Sequence, residues 1–301
     1  MKNNTIDVVG LGLNAMDTIC VVPEFPRYNT KTHMHEVRIE PGGQVATALA
    51  TCTRLGLRAR YIGSVGNDDF GRRQISSLQE ENLELHVREV EGATSQVAII
   101  VIEEGVGERT ILWRRDPRLT FPVAELQKEW ITSGRLLHVD GCDRAAALQA
   151  AKWAREAGIP VVIDIDEVYD ESTHELLRLV DYLIASSDFA EDPRELAERY
   201  GCGVVGITHG ADGATFVDRD RRLIQSPGFK VPVADTTGAG DVFHGGFIYG
   251  LLKGWPLEET IRFANAVAAM KCTQIGARNG IPSLRDAHEF LRSQSSSGAS
   301  V

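Results

Sequence analysis

One stretch decides the fold, and it reads Ala234-Asp235-Thr236-Thr237-Gly238-Ala239-Gly240-Asp241-Val242-Phe243-His244-Gly245-Gly246-Phe247. Gly238, Ala239 and Gly240 have almost no side chains, and a helical pattern begins immediately after them. Successive backbone N–H groups at a helix start attract an anion, and the helix dipole adds to this attraction. Asp241 follows in the first turn, where a carboxylate can accept a proton from a hydroxyl that attacks a phosphoryl group. The stretch therefore predicts a phosphoryl-transfer site, with Asp241 as the base and the amides of Gly238, Ala239 and Gly240 as an anion hole.

A Gly-x-Gly-Asp element taken alone is equally typical of a tight turn in which the aspartate is an ordinary carboxylate at a helix start. The longer run Asp-Thr-Thr-Gly-Ala-Gly-Asp at 235–241 is more specific. It closely resembles the second motif of the ribokinase-like (PfkB) carbohydrate kinases, and the resemblance extends over residues 5–292 with the motifs in the order of the family. It implies an ATP-dependent sugar kinase in which Asp241 is the catalytic base.

Other segments resemble the sugar side of this family. The run Gly42-Gly43-Gln44-Val45-Ala46-Thr47 is similar to its first motif, in which a glycine pair lies against sugar hydroxyls, although many relatives have asparagine where Thr47 stands. Asn14 and Asp17 resemble the amino-terminal sugar-binding pair, and a carboxylate can accept two hydroxyl hydrogen bonds. By the same resemblance, Asp235 lies where family members often bind a monovalent cation such as K⁺.

The nucleotide side of the resemblance rests on Thr208-His209-Gly210-Ala211-Asp212-Gly213, which is similar to the loop that passes over the nucleotide phosphates. Outside that context, a Thr-x-Gly-x-x-Gly run is more often a simple turn. The resemblance further implies that Asn265 approaches the adenine or the ribose. Many family members carry an Asn-x-x-Glu element that helps arrange Mg²⁺, and Ser186-Ser187-Asp188-Phe189 stands in its place here. Mg²⁺ is still expected with ATP, because it bridges the nucleotide phosphates.

Two segments of the sequence indicate different classes of sugar substrate. A run similar to Ser186–Phe189 occurs in ketohexokinase- and fructokinase-like members, which favours a ketose such as fructose. Arg114, clustered with Arg115 and Arg118, is either a solvated residue or a ligand for an anionic substrate. The alternative substrate is therefore a 2-keto-3-deoxygluconate-like acid, a sulfosugar or a phosphosugar.

Asp140 either touches the substrate or caps the following helix. A protein that senses a sugar or nucleotide without catalysis on the same fold is the third hypothesis.

Short apolar strands alternate with helical patterns along most of the chain, which indicates a mostly parallel sheet between two helical layers. Four further strands without intervening helices predict a small antiparallel β lid, at about residues 16–40 and 95–115. We therefore expect one ribokinase-like α/β domain over residues 1–292, a three-layer αβα sandwich, followed by a disordered serine-rich tail at 293–301. The predicted core strands are Ile6–Leu11, Ala59–Val65, Arg135–Val139, Val161–Ile165, Tyr182–Ala185 and Val204–Thr208.

Composition restricts the partners and the compartment. The chain has 301 residues and a net charge of −10 at pH 7, which disfavours nucleic acid and anionic membranes as partners. Its five cysteines lack a Cys-x-x-Cys pair, and the first residues lack the layout of a signal peptide. We therefore expect a cytoplasmic enzyme with free thiols. One exposed face of the small lid sheet needs a cover, either bound substrate or another subunit. The family resemblance implies a homodimer, because the lids of family members often pair.

Overall fold

Nine strands form one large sheet in the computed structural model, which describes residues 6–105, 107, 109–168, 170–189 and 192–297. Their order across the sheet is β13-β12-β11-β10-β9-β8-β1-β4-β5. The pairs from β11 to β5 are parallel, whereas β12 and β13 add an antiparallel edge. In chain order, the strands of both sheets are β1 (Ile6–Leu11), β2 (Ala15–Val22), β3 (Glu36–Gly42), β4 (Ala59–Gly66), β5 (Glu84–Val90), β6 (Val97–Glu103), β7 (Arg109–Arg114), β8 (Gly134–Asp140), β9 (Val161–Ile165), β10 (Tyr182–Ser186), β11 (Val204–Thr208), β12 (Ala214–Val217) and β13 (Leu223–Ser226).

Helices cover both faces of this sheet. The helices are α1 (Gln44–Arg54), α2 (Asp69–Glu80), α3 (Lys128–Thr132), α4 (Arg144–Glu156), α5 (Glu171–Leu177), α6 (Pro193–Tyr200), α7 (Ala239–Lys253), α8 (Leu257–Lys271) and α9 (Leu284–Ser297). One apolar core joins alternate strand residues to α4, α5 and α6, and a second joins the opposite strand face to α1, α7 and α8. The predicted three-layer αβα sandwich is confirmed.

The strand order places a ligand site at one edge of the sheet. Strand β1 lies between β8 and β4, so the chain builds outward from β1 in both directions. In such sheets a crevice opens beyond the carboxyl ends of the strands, where the order reverses. Asn14 follows β1, Asp140 ends β8 and Asp164 lies near the end of β9, so these side chains share that edge.

The lid is a second sheet with the order β3-β2-β6-β7. Its outer pairs, β2 with β3 and β6 with β7, are antiparallel as expected, and its central pair, β2 with β6, is parallel. Ile19, Ile100 and Ile102 form a buried cluster on the inner face. Val37, Ile39, Ile99 and Leu112 are exposed, and the strand register places them on the outer face.

The carboxyl-terminal helix is longer than predicted. Helix α9 continues through Ser297, so the disordered tail predicted from residue 293 is not found over 293–297. Residues 298–301 lie outside the described residues.

No helix in the described part of the chain is long and apolar enough to span a membrane.

Candidate active site

The predicted anion hole lies at the start of α7. Gly238 precedes this helix in a left-handed conformation (φ 76°), and an added Cβ would lie 2.8 Å from the Ala277 Cβ, so the position requires glycine. The Ala239 N–H donates to the Thr236 carbonyl at 3.1 Å and closes the turn. Gly240 is exposed, with open space where a side chain would stand. Because the first N–H groups of a helix have no acceptor within the helix, the backbone at Gly240 can receive an anion.

Asp241 follows in the first turn of α7 and is partly buried. Burial raises the pKa of Asp241 to about 7, and the nearby carboxylates of Asp164 and Asp166 add to the rise, whereas His244 and Arg109 oppose it. A carboxyl group with a pKa near the working pH is suited to accept a proton. The side chain is therefore not turned into the core, and the turn before it is open.

The predicted sugar-binding residues come together from two distant segments. Asn14 and Asp17 are both buried, and burial raises the pKa of Asp17 to about 7, while Arg278 opposes the rise. A Cβ added to Gly42 would clash with the Asp17 carboxylate, and one added to Gly43 (φ 90°) would lie 2.5 Å from the Asn14 Cα. The glycine pair thus allows backbone to pack directly against Asn14 and Asp17.

Arg278 is a residue of this site that sequence reasoning missed. Its buried guanidinium donates to the Gly42 carbonyl at 2.7 Å, to Asn14 Oδ1 at 3.3 Å and to Thr47 Oγ1 at 3.4 Å. Burial lowers the pKa of Arg278 to about 10, so it remains a cation near neutral pH. Thr47 is wholly buried, which corrects its predicted substrate contact, because its hydroxyl supports Arg278 instead. No local sequence pattern marks Arg278, since only the fold brings it beside the first motif.

Asp235 is buried beside the turn and is surrounded by donors from the protein. It accepts the Thr237 N–H at 2.7 Å and the Gly276 N–H at 2.8 Å on its two carboxylate oxygens. The buried Lys271 ammonium donates to the Asp235 carbonyl at 2.8 Å and lies 4.0 Å from Asp235 Oδ2. Where the sequence predicts a monovalent cation, the structure therefore places the ammonium of Lys271.

Asp140 is directed to the backbone. Its Oδ2 accepts the Leu13 N–H at 2.7 Å, its Oδ1 accepts the Cys142 N–H at 2.8 Å, and the side chain is buried. Both oxygens are therefore committed to holding the loop after β1 and the entry to α4. The substrate contact of Asp140 stays a prediction, and the helix cap expected as the alternative falls to Asp143, which directly precedes α4.

The two ends of β7 present their arginines to different sides of the lid. Arg109 and Arg114 are five residues apart, and side chains alternate along a strand, so the two lie on opposite faces. Arg114 shares the outer face with Ile99 and Leu112, and it donates to Thr94 Oγ1 at 2.6 Å. Arg109 lies on the inner face and donates to Thr236 Oγ1 at 2.9 Å. The structure thus does not bring Arg114 to the site, and it brings Arg109, which sequence reasoning missed.

The nucleotide loop forms as a glycine-dependent turn after β11. Gly210 (φ 56°) and Gly213 (φ 95°) follow Thr208 in positive-φ conformations; the space beside Gly210 is open to a ligand, whereas Gly213 packs against the Ser226 carbonyl. Asn265 is placed differently from the prediction. Its Nδ2 donates to the Ser226 carbonyl at 3.1 Å and to Ser226 Oγ at 3.0 Å, so it holds the loop after β13. The amide is thus used within the protein and not directed at an adenine or ribose.

An open turn at a helix start, a carboxyl group with a pKa near neutral pH and a small lid sheet are features that suit phosphoryl transfer to a small molecule. A model described as pfkB family carbohydrate kinase matches residues 4–284. The chain therefore belongs to the PfkB family and is a carbohydrate kinase, as the motif resemblance predicted.

Similar proteins support this assignment over nearly the whole length. The chain is 28% identical to ribokinase of Haemophilus influenzae, over 95% of this chain and 98% of that one. It is 26% identical to 5-dehydro-2-deoxygluconokinase of Clostridium perfringens, over 84% of each. A candidate ribokinase from Agrobacterium tumefaciens has a solved structure that matches with a TM-score of 0.90 at 26% identity, over 97% of this chain and 99% of that one. The predicted ribokinase-like fold is confirmed.

Arg109 and Arg114 offer a matched test of the lid. We expect Arg109→Gln to lower kcat/KM about tenfold, or about 1.4 kcal/mol, because it removes the bond to Thr236 and a positive charge near Asp241. Arg114→Gln, on the same strand, serves as the control and should change kcat/KM less than about twofold. Initial rates of ADP release check both variants. A larger loss in Arg114→Gln would restore Arg114 as the substrate ligand.

Proposed function

We propose that this kinase transfers the γ-phosphoryl group of ATP to a hydroxyl of a neutral sugar, with a ketose such as fructose as the predicted substrate. The observation that carries the proposal is Asp241, whose pKa is about 7, in the first turn of a helix preceded by an open anion turn. Asn14 and Asp17 would hold sugar hydroxyls from the other side of the pocket. The glycine loop at 208–213 would lie along the nucleotide.

The proposed reaction is an in-line displacement. The sugar oxygen forms a bond to the γ-phosphorus while the bond from this phosphorus to the β–γ bridging oxygen breaks, and ADP leaves. Asp241 accepts the hydroxyl proton as the new bond forms. Backbone amides at Gly240 stabilise the charge on the transferred group, and Arg109 adds a positive charge on the lid side. The protein contributes positioning and electrostatic stabilisation, which are the main needs of phosphoryl transfer.

Two ions enter this proposal in different ways. Within the described residues, no group of three His, Cys, Asp or Glu side chains is arranged to hold a metal ion. Mg²⁺ would therefore be bound chiefly through the nucleotide phosphates, whose charge it neutralises when bound. For Asp235 we propose that Lys271, and not K⁺, supplies the neighbouring positive charge, because the ammonium already donates to the Asp235 carbonyl.

Removal of the base tests the catalytic assignment. We expect Asp241→Asn to lower turnover by a factor on the order of 10³ or more while nucleotide affinity changes little. The pKa of Asp241 is higher in the folded state than in the unfolded state, so ionisation of Asp241 destabilises the folded protein at a pH above the unfolded pKa. Asp241→Asn should therefore have a Tm at or above that of the wild type at pH 8. In the wild type, kcat/KM for the sugar should fall as the pH drops below about 7. Near-normal turnover in a folded Asp241→Asn variant would end the assignment.

The charges in the pocket favour a neutral substrate over an acidic one. Asp17 and Asp166 contribute carboxyl groups to it, and Arg114 lies on the outer face of the lid. Arg278 and Arg109 are cationic, but the Arg278 guanidinium is engaged with Gly42, Asn14 and Thr47, and that of Arg109 donates to Thr236. An acid sugar remains the second candidate, because 5-dehydro-2-deoxygluconokinase is among the similar proteins.

A sugar panel separates the two candidates. Coupled assays of ADP release would compare fructose and ribose with 2-keto-3-deoxygluconate, 5-dehydro-2-deoxygluconate and a phosphosugar. We expect at least about a tenfold higher kcat/KM for a neutral sugar, since an added anion would meet the carboxylates of the pocket. A preference for any of the anionic sugars would overturn the neutral class. Absence of sugar-dependent ADP release across a broad panel would favour a sensing role.

We further propose a homodimer formed through the lid. Ile39, Ile99 and Leu112 occupy one cross-strand row on the outer face, and all three are exposed. A second copy would present the same apolar face in a closed two-fold arrangement.

The five cysteines are free thiols, which supports the proposed cytoplasmic location.

Sedimentation velocity tests the dimer. We expect a species of twice the 33.0 kDa chain mass at micromolar concentration. Ile99→Asp, which places a charge at the centre of the outer face, should shift this species to the monomer without lowering the Tm substantially. A wild type that sediments solely as monomer would contradict the proposal.

A further inference from the structure

A buried ion pair lies one helical turn behind the proposed base. His244 is three residues after Asp241 on α7, and its Nε2 is 3.2 Å from Oδ1 of Asp164, near the end of β9. The two side chains are 3% and 9% exposed, so water screens their attraction little. The reaction proposed above uses neither residue, although both interact electrostatically with the base.

Asp164 also accepts a hydrogen bond from Gln44, which follows the glycine pair at 42–43. Gln44, the first residue of α1, donates through Nε2 to Oδ2 of Asp164 at 3.4 Å and to Oδ2 of Asp166 at 2.7 Å. Gln44 directly follows the glycine pair that packs against Asn14 and Asp17. One amide therefore connects the sugar motif to the carboxylate that holds His244.

The charge on this pair can be assigned from its surroundings. Burial alone would lower the pKa of His244, but the Asp164 carboxylate and its hydrogen bond raise it above the usual value. Burial likewise opposes ionisation of Asp164, whereas His244 lowers the pKa of Asp164 below its usual value. The His138 ring lies beside that of His244, tilted by 32° with ring centroids 5.3 Å apart, and burial lowers the pKa of His138 to about 3. His244 is thus the charged histidine and His138 the neutral one.

The groups that face Asp241 come from several elements. Asp164 and Asp166 from β9 and the loop after it place negative charge nearby, and His244 from α7 and Arg109 from the lid place positive charge there. Lys271 at the end of α8 and Arg278 in the following loop also interact with it. Among these cations, His244 is on the same helix as Asp241 and is tied to a second buried side chain.

We propose that the Asp164–His244 ion pair is a positioning element for the reaction, in which Asp164 fixes an imidazolium one turn behind Asp241 and this charge offsets part of the repulsion that the Asp164 and Asp166 carboxylates exert on the base. The inference rests on the proposed role of Asp241. Since two carboxylates and a third at position 166 share a small volume, a fixed internal cation reduces their mutual repulsion. His244 acts through Asp241 and makes no contact of its own with the reacting atoms in this scheme.

The pH dependence of kcat/KM tests the proposal, with the sugar turned over fastest in the panel and saturating MgATP. His244→Gln removes a positive charge, so the pKa of Asp241 rises and the acid limb should move about one unit to higher pH, with most of the high-pH plateau retained. At one pH unit below the wild-type limb, this shift corresponds to a rate about tenfold lower than that of the wild type at the same pH, when each is expressed relative to its own plateau. In the double variant Asp164→Asn/His244→Gln, both charges are lost, and the limb should return toward the wild-type position.

A matched control is the neighbouring histidine. His138→Gln also removes a buried imidazole, but a neutral one, so the acid limb should stay where it is in the wild type. A uniform loss of rate in His244→Gln without a shift of the limb would overturn the proposal, as would an equal shift in His138→Gln.

A second measurement needs neither turnover nor a variant. The ¹⁵N chemical shifts of the His244 ring in the unliganded protein should report an imidazolium at pH 7, and a neutral ring there would overturn the inference. Loss of turnover in Asp241→Asn together with an unmoved limb in His244→Gln would reject this inference alone. Normal turnover in Asp241→Asn would reject the proposed function itself.

Discussion

A carboxylate held partly out of water at the start of a helix is the constraint on which this site depends. Burial favours the neutral form of Asp241, whereas the positive end of the helix and nearby cations favour the charged form. Burial and the neighbouring carboxylates prevail and raise the pKa to about 7, which gives a group that exchanges a proton near neutral pH. The balance requires cations inside a chain whose net charge is −10, and His244, Lys271 and Arg278 supply them as buried residues.

Many of the helices and strands could be predicted, because the sequence patterns that mark them lie within a few adjacent residues. Helix α7 begins and ends as predicted, since Gly238 and Gly254 adopt left-handed conformations at its two ends. The buried parallel strands are short runs of β-branched residues between turns, and five of the six predicted core strands have the observed bounds or differ by one residue at one end. By contrast, β5 is mostly half-exposed and carries charged residues, so its pattern is weak. Helix α2 carries a clear start signal in Asp68, which accepts the Gly71 N–H, and this signal could have been used.

The site residues were predicted less well, for a physical reason. Thr47, Asp140 and Asn265 lie in the expected neighbourhood, but each uses its polar atoms on the protein itself. Buried polar groups need partners, and the nearest partners are often backbone groups that no sequence motif reveals. Arg109 and Arg278 were missed because strand register and loop packing direct their side chains, and neither is encoded in adjacent residues.

Three consecutive residues of the loop after α8 have a consequence for how the two substrates influence each other. The Gly276 N–H binds Asp235, Ala277 lies against Gly238, and the Arg278 guanidinium holds the Gly42 carbonyl. The residues that support the turn before α7 and the residue that supports Gly42 are therefore only two peptide bonds apart. A sugar that displaces Arg278 alters the support of Gly238, and linkage requires that nucleotide binding return the same free-energy change to the sugar. Coupling of the two ligands through this loop would therefore need no closure of the lid.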